Sequence, residues 1–295
     1  MNYKSERFGN FVIGAIMGAI CLLLLYPLIY ILSSSVSDPV EVYAGNVRLL
    51  PVGFSLEPYI RVFENDNILR GYGNTIFYTF LGTAISIAVS FMAAYPLSRK
   101  DMSGRNFFMT LFIVTMFFSG GLVPLYIVIN TLGMNDTIWG FILPGSVSVW
   151  NIIVIRTYMS SSIPYELQES AMIDGAKTFA LFFRIIIPLS KPIMAVMVLF
   201  YLVGYWNSYF NALVFLSDEM KYPLQMILRN ILIEQDLTSM IGGGGGSQES
   251  MYRQAMLAES LKYSSIVVST LPVLFVYPFI AKYFEKGILV GSLKG

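Results

Sequence analysis

The sequence predicts an all-α polytopic membrane protein with six transmembrane helices, and three observations carry that prediction. Charged residues make up 13% of the 295 positions, against roughly 25% in an average soluble domain. Apolar residues reach 56%, and the mean hydropathy is +0.65. Six windows of bilayer length contain no Asp, Glu, Lys, Arg or His. A water-soluble enzyme is excluded on these grounds. The formal net charge of +1 supplies no basic field for nucleic acid, and the lone Cys21 cannot close an intramolecular disulfide. With no histidine and one cysteine, zinc, haem and thiol chemistry find no ligands, so no metal and no cofactor is expected on this chain.

A bilayer core about 30 Å thick is crossed by about 20 apolar residues in a helix. The matching windows run from Phe11 to Leu32, Thr75 to Leu97, Phe107 to Ile129, Ile138 to Ile155, Ile193 to Leu216 and Ser264 to Ile280. The first is longer than the apolar region of a signal peptide and is followed by no small-residue cleavage pattern, so it reads as a retained signal anchor. Continuous runs such as Cys21-Leu22-Leu23-Leu24-Leu25 are not the alternating pattern of a barrel strand. Twelve Lys and Arg fall on the segments that include both termini and seven on the other set, where the loops are longer. Both termini are therefore expected in the cytoplasm. Residues 1–295 read as a single transmembrane domain with outer loops near Ser33 to Asn74 and Ser217 to Tyr263, and an inner loop from Arg156 to Pro192. In the second outer loop, Leu224, Ile227, Leu228, Ile231 and Leu232 recur at helical spacing and predict a short amphipathic helix ending at Glu234 and Gln235. Gly242 to Gly246, followed by Ser247, is a flexible tether by composition.

The absence of ionisable residues from all six windows bears on function. Ion-coupled carriers usually keep such groups in the membrane as proton relays or ion ligands, because they are costly there. Six such spans form a structural or assembly protein, or a conducting subunit whose energy comes from a partner. The second reading requires a docking device, and the inner loop offers one. Pro164 suits a first helical turn, Glu166 and Glu169 favour a helix N-terminus, Ala171 and Ala176 keep the surface small, and Gly175 interrupts. Phe179, Phe182, Phe183, Ile185 and Pro188 follow before Lys191 and Pro192. The pattern predicts a short helix, a break and a second short helix. A surface-lying amphipathic helix anchored by its phenylalanines has the same pattern.

The segment Glu169-Ser170-Ala171-Met172-Ile173-Asp174-Gly175, with Ile185 and Ile187-Pro188 beyond it, resembles the EAA loop of ABC importer permeases. Ser170 stands for the first Ala of that motif and Ile187 for its Leu. Leu50-Pro51, Phe54 to Tyr59 and Asn74-Thr75 resemble the first outer loop of the maltose-type carbohydrate-uptake permeases, and Tyr283 to Gly287, Gly291 and Lys294-Gly295 resemble their C-terminal signature. The whole is most similar to the LplC-like branch, associated with complex oligosaccharides. The resemblance implies a permease subunit that forms half of a pore in the bacterial cytoplasmic membrane. Its expected partners are a homologous second permease, two ATPase subunits holding ATP and Mg, an extracytoplasmic solute-binding protein, an oligosaccharide and the lipid bilayer. In that picture Glu169, Ser170, Ala171, Asp174 and Gly175 seat in an ATPase cleft with Pro188 nearby, and Lys294 and Gly295 also reach the ATPases. The chain itself is expected to catalyse nothing.

A substrate pathway is sought in the fifth window, where Tyr201, Tyr205, Trp206, Asn207, Tyr209 and Asn211 cluster. Amides beside aromatic faces suit the hydroxyls and apolar ring faces of a sugar, and Trp206, Asn207, Asn211 and Tyr205 are the candidates. The same residue types serve as packing glue between helices and as interfacial belts. Gly120, Gly121 and Pro124 in the third window and Pro144 with Gly145 in the fourth mark breaks, hinges or close contacts. Without fixed charge in these windows, an anionic sugar would have to be recognised by helix dipoles, the partner permease or the binding protein. The alternatives are a stand-alone secondary carrier or channel, and a non-transporting assembly or sensory protein.

Overall fold

The computed structural model describes residues 3–241, 256, 259–276 and 278, with side chains from residue 9 to residue 233 and through the later stretches. Among the described residues the protein is all-α. The one extended pairing is an isolated bridge between Ser37 and Phe54. Its contacts divide the chain into two compact units, one of Met1–Leu69 with Leu228–Pro272 and the other of Arg70–Ile227 with Val273–Gly295.

In the first unit, α1 (Tyr3–Ser35) carries a 27-residue apolar stretch, Gly9–Ser35, whose most apolar window is unburied while Ser33, Ser34 and Ser35 at its end are buried. Serines at its end then fold the outer segment back. Ser33 Oγ donates to the Leu49 carbonyl at 2.7 Å, Ser37 Oγ accepts from the Val52 amide at 3.1 Å, and Tyr59 Oη donates to Ser35 Oγ at 2.8 Å. Two short helices follow, α2 (Pro39–Tyr43), capped by Asp38, and α3 (Glu57–Glu64). The late helical stretch 259–276 sets Tyr263 edge-on to Tyr30, with ring centroids 5.6 Å apart. The predicted sixth window is thus helical through residue 276 and again at 278, and its last residues lie outside the described ones.

The second unit is organised on α4 (Asp66–Ser98), 33 residues without a break and with Pro96 confined to its last turn. The later windows are bent where the sequence places Gly and Pro. In the third, α5 (Arg105–Phe117) and α6 (Leu122–Thr131) meet at 111°, because Gly121 sits at φ +86°, outside helical space. In the fourth, α7 (Ile138–Ile142) passes through a 3-10 turn at Leu143–Gly145 and bends 51° into α8 (Val149–Ser162). Next come α9 (Tyr165–Ile173), α10 (Thr178–Leu181), a π turn at Phe182–Ile186 and α11 (Ile187–Leu189), then an 80° bend at Ser190 into α12 (Lys191–Trp206). The fifth window is therefore two helices: α12 stops at Trp206, and α13 (Tyr209–Phe215) begins after Asn207 and Ser208. Among the described residues two helices are long and apolar enough to cross a membrane, or up to five segments if each bent pair counts as one. The amphipathic helix α14 (Leu224–Ile241) runs on past Glu234 and Gln235, where the apolar stripe ends, since neither residue breaks a helix.

Lipid tails are as apolar as Leu, so association of such helices depends on fit and on polar ties rather than on expulsion of water. The fit is a cluster in which Phe91, Ile152, Ile155, Met159, Leu181, Ile186 and Met197 interlock α4, α8, α10, the π turn and α12. The ties are two rungs between antiparallel helices: Ser90 and Tyr201 share a hydrogen bond of 2.7 Å, and Ser86 and Tyr205 one of 3.1 Å. Each partner pair is spaced i, i+4, so both rungs lie on one helix face. Gly82 completes the seam one turn further along, because a Cβ there would come within 2.6 Å of the Tyr205 ring. Gly73, on the same helix, faces open space. Gly82→Ala is expected to lower thermal stability by an overpacking cost of about 1–3 kcal/mol. Gly73→Ala is expected to raise it by the helix-propensity gain of about 1 kcal/mol. Melting of both variants in one detergent is the measurement.

Candidate functional site

Two clusters of candidate residues are built at different levels of the second unit. The first is α9. Pro164 leads into it with extended backbone, and Glu166 occupies the first turn, where the positive end of the helix dipole favours it. Gln168 is buried and Ala171 packs against the core cluster, which turns Glu166, Leu167, Glu169, Ser170 and Ile173 outward. Ile173 is 86% exposed at the tip. The helix ends in a Schellman motif: the Ala176 amide donates to the Ala171 carbonyl at 2.9 Å and the Gly175 amide to the Met172 carbonyl at 3.0 Å. Gly175 takes the left-handed position at φ +83°, with open space where a Cβ would lie. Asp174 is exposed beside it, and Pro188 is exposed on the next short helix. Pro188 offers no amide to the Arg184 carbonyl, and the backbone widens just before it, with the Ile187 amide donating to the Phe182 carbonyl. The break and second helix expected here are observed, with this π turn added.

The second cluster surrounds a cavity of about 180 Å³ lined by Gly145, Phe200, Tyr201, Gly204, Tyr205, Ser208 and Asn211. Two of the four pathway candidates, Tyr205 and Asn211, meet there. The Tyr205 hydroxyl donates to the Ile142 carbonyl at 3.0 Å and pairs with Ser86, so it holds the bend that opens the cavity at Gly145. Asn211 makes no hydrogen bond to another described residue, and its Nδ2 lies 3.7 Å from where a Gly145 Cβ would stand. Trp206 and Asn207 are not brought to this cavity. Trp206 is buried with its ring 6.3 Å from that of Tyr72. Asn207 caps α12, donating to the Val203 carbonyl at 2.9 Å and accepting from Gln225 at 3.4 Å. The break at Asn207 and Ser208 ends α12, so these two do not share a continuous helix with Asn211. Lys294 and Gly295 lie outside the described residues.

Residues that the sequence did not mark as site candidates brace the second unit around both clusters. Asp136, at φ +55°, accepts the Ser217 and Asp218 amides on Oδ1 at 2.9 and 3.0 Å and the Lys221 ammonium on Oδ2 at 2.9 Å. Asn74 donates to the Met220 and Tyr222 carbonyls, Tyr78 to the Lys221 carbonyl, and Thr75 Oγ1 accepts the Leu224 amide. These contacts staple the segment after α13 to the start of α4. At the other end of α4, Arg156 donates to the Leu97 carbonyl at 3.2 Å. A usable signal existed in the paired spacing of Ser86 and Ser90 against Tyr201 and Tyr205; the Asp136 contacts pair residues 81 to 85 apart in sequence and those of Asn74, Thr75 and Tyr78 pair residues 143 to 149 apart, and neither set left one.

Bent apolar helices around a small cavity of aromatic and glycine walls with Ser208 and Asn211 among them, and an uncovered helix on one end, define a solute-conducting membrane subunit. Residues 84–290 match the family described as binding-protein-dependent transport system inner membrane component, and the chain belongs to that family. It is 40% identical to Protein LplC of Bacillus subtilis (strain 168) over 294 residues, covering 100% of this chain and 97% of that protein. It is 39% identical to the polygalacturonan/rhamnogalacturonan transport system permease protein YtcP of the same organism, covering 99% and 100%. Among solved structures it is similar to a chain of a bacterial ABC transporter involved in the import of the acidic polysaccharide alginate, with a TM-score of 0.85, 33% identity, and coverage of 96% of this chain and 99% of that one.

The Asp218 amide, the Lys221 ammonium and the Ser217 amide hold the Asp136 carboxyl down at about 2, below the ordinary value of about 3.9. The folded state therefore binds fewer protons than the unfolded one between these values. The stability contributed by Asp136 is full above about pH 4 and is lost as pH falls toward 2. Acid titration followed by hydrogen exchange at the Ser217 and Asp218 amides is expected to show opening across that window. Asp136→Asn is expected to show faster exchange at neutral pH and no step there.

Proposed function

We propose that this chain is the permease subunit of an ABC importer that takes up an oligosaccharide, and that α9 is the helix through which ATPase subunits drive it. The observation that carries this reading is the uncovered outer surface of α9: Leu167 and Ile173 stand exposed beside Glu166, Glu169 and Asp174 on a rigid helix whose end is fixed by Gly175. The α9 side of the chain also carries Arg99, Lys100, Arg156, Lys177 and Arg184, and this positive charge supports reading it, with both termini, as cytoplasmic. In this reading α1, α4, α5 with α6, α7 with α8, α12 with α13, and the window that holds the stretch 259–276 are the six spans.

The partners of this reading are a homologous second permease that closes the pore, two ATPase subunits that bind ATP and Mg and receive α9 of each permease, and an external solute-binding protein that delivers the sugar. ATP binding on those subunits supplies the closure that draws the two docked helices together. The permease answers by switching between two discrete packings, and only docking that differs between the two states can shift the balance. Residues 156–192 are the segment through which the motion enters. Inside, the cavity beside Tyr205 takes one sugar ring, with Phe200 and Tyr201 offering ring faces and Asn211 offering both a donor and an acceptor. Its described lining carries no charge, so the cavity selects hydroxyls and ring shape; any carboxylate on the sugar is met elsewhere in the complex.

Gly175→Asp is expected to insert normally, since the added Cβ meets no atom within 4 Å and left-handed backbone costs about 1 kcal/mol. Uptake in the assembled complex is expected to fall at least tenfold while ATP hydrolysis continues. Uptake at the parent rate would overturn the role given to α9. Asn211→Leu is expected to raise the KM for the transported oligosaccharide about fivefold, the equivalent of one hydrogen bond of about 1 kcal/mol, with ATP hydrolysis unchanged. An unchanged KM would remove the cavity from the pathway.

A further inference from the structure

The turn between α4 and α5 places two cations side by side, and each meets a different end of α9. The Lys100 ammonium lies 5.6 Å from the centroid of the Tyr165 ring, and Arg99 Nη2 donates to Met172 Sδ at 3.6 Å. Tyr165 and Met172 are seven positions apart, which is two helical turns or about 10 Å along the axis, so they share one face of α9. A single contact would let α9 swivel; two contacts two turns apart resist rotation as well as translation.

Arg99 is itself held firmly. Its guanidinium is bidentate on Asp101, with Nε to Oδ1 at 2.8 Å and Nη2 to Oδ2 at 2.5 Å, and Nη1 donates to Tyr95 Oη at 3.0 Å. The side chain is only 12% exposed. The Tyr95 ring packs on Phe182 at 5.1 Å, where the π turn begins. Arg99 lowers the Asp101 carboxyl and Asp101 raises the Arg99 guanidinium, so both stay charged across the working range.

Besides the short link back to α8 and the packing of Ala171 on the core, two routes lead from α9 into the body of the second unit. Along the chain, a movement must pass the turn at Gly175, the π turn and the 80° bend at Ser190 before it reaches α12. Each of these breaks absorbs displacement. Through space, it passes from Met172 and Tyr165 into residues 99 and 100 and then into α4, which is unbroken for 33 residues and carries Ser86, Ser90, Gly82 and Tyr78. We propose that Arg99 and Lys100 are positioning residues that deliver the movement of α9 to α4, making α4 the element that carries it toward the cavity and the outer staple. This inference rests on α9 docking on an ATPase, as proposed above.

The test needs no sugar. In the assembled complex, with Cys21→Ser as background, Gly73→Cys reports on α4 and Gly204→Cys on α12; both positions face open space. Labelling by a membrane-impermeant maleimide is compared with and without ATP plus vanadate. In the parent, both reporters are expected to change. In Arg99→Lys, which keeps the charge but loses the fork on Asp101, the change at position 73 is expected to fall at least threefold while that at 204 persists. Lys100→Gln is expected to act in the same direction, and Lys100→Arg to restore the change, because Arg serves equally over an aromatic ring. A parent-sized change at 73 in Arg99→Lys, equal loss at both reporters, or no change at 73 in the parent would each overturn the α4 route. Ile173→Asp separates the two readings. If it abolishes both changes while Arg99→Lys alters neither, only this inference falls; if it alters neither, α9 is not the docking helix and both fall.

Discussion

No water reaches a backbone carbonyl in the hydrocarbon of a bilayer, and a bent apolar helix depends on some side chain to take each carbonyl that its bend releases. An unsatisfied group there costs several kcal/mol. The bend after α7 is the case on which this structure turns. The Ser146 amide, which would serve Ile142 in a continuous helix, donates instead to the Leu143 carbonyl at 3.1 Å. Ile142 is left open, and the Tyr205 hydroxyl takes it at 3.0 Å. The same bend exposes Gly145 to the cavity, so the cavity and the tyrosine that permits it are one arrangement. Tyr205 is first a structural residue whose ring happens to form a wall, and the polar group left over for a solute is Asn211.

A second consequence concerns α4. Because Ser86, Ser90 and Gly82 lie on one face of an unbroken helix, their contacts with α12 form a seam that cannot shift at one rung without the others. Asn74, Thr75 and Tyr78 extend that linkage to the segment before α14, and Tyr95 and Arg99 extend it to the opposite end. The bent pairs around α4 are where shape change is cheap. A machine that must open and close needs both kinds of element, and here they are segregated by helix rather than mixed within each one.

How much of this was legible in the sequence varies with the range of the interaction. The all-α membrane class followed from composition, and the places where helices break followed from Gly120, Gly121, Pro144 and Gly145, because backbone geometry is local. That Leu224 begins a helix was legible from its apolar stripe; its end at Ile241 was not, since Glu and Gln extend a helix as readily as they edge it. Trp206 and Asn207 were grouped with Asn211 on the assumption of one continuous helix, and the break at Asn207 and Ser208 removed the premise. The Asp136 staple joins residues about 80 positions apart and could not be inferred from either segment alone.

The EAA-type motif was legible for a reason that the structure makes physical. Its fixed spacing of four residues from Ala171 to Gly175 is the spacing of a Schellman termination, with Ala171 giving the carbonyl that closes the outer ring and Gly175 supplying the left-handed residue. The Ala is small because its side chain packs on the core, and the Gly is required because other residues are strained at φ +83°. What the two secure is that the helix stops at Ile173, with Ile173 and Asp174 at a defined tip. The outward surface of α9 is left to Glu166, Leu167, Glu169, Ser170 and Ile173, which this termination holds in place.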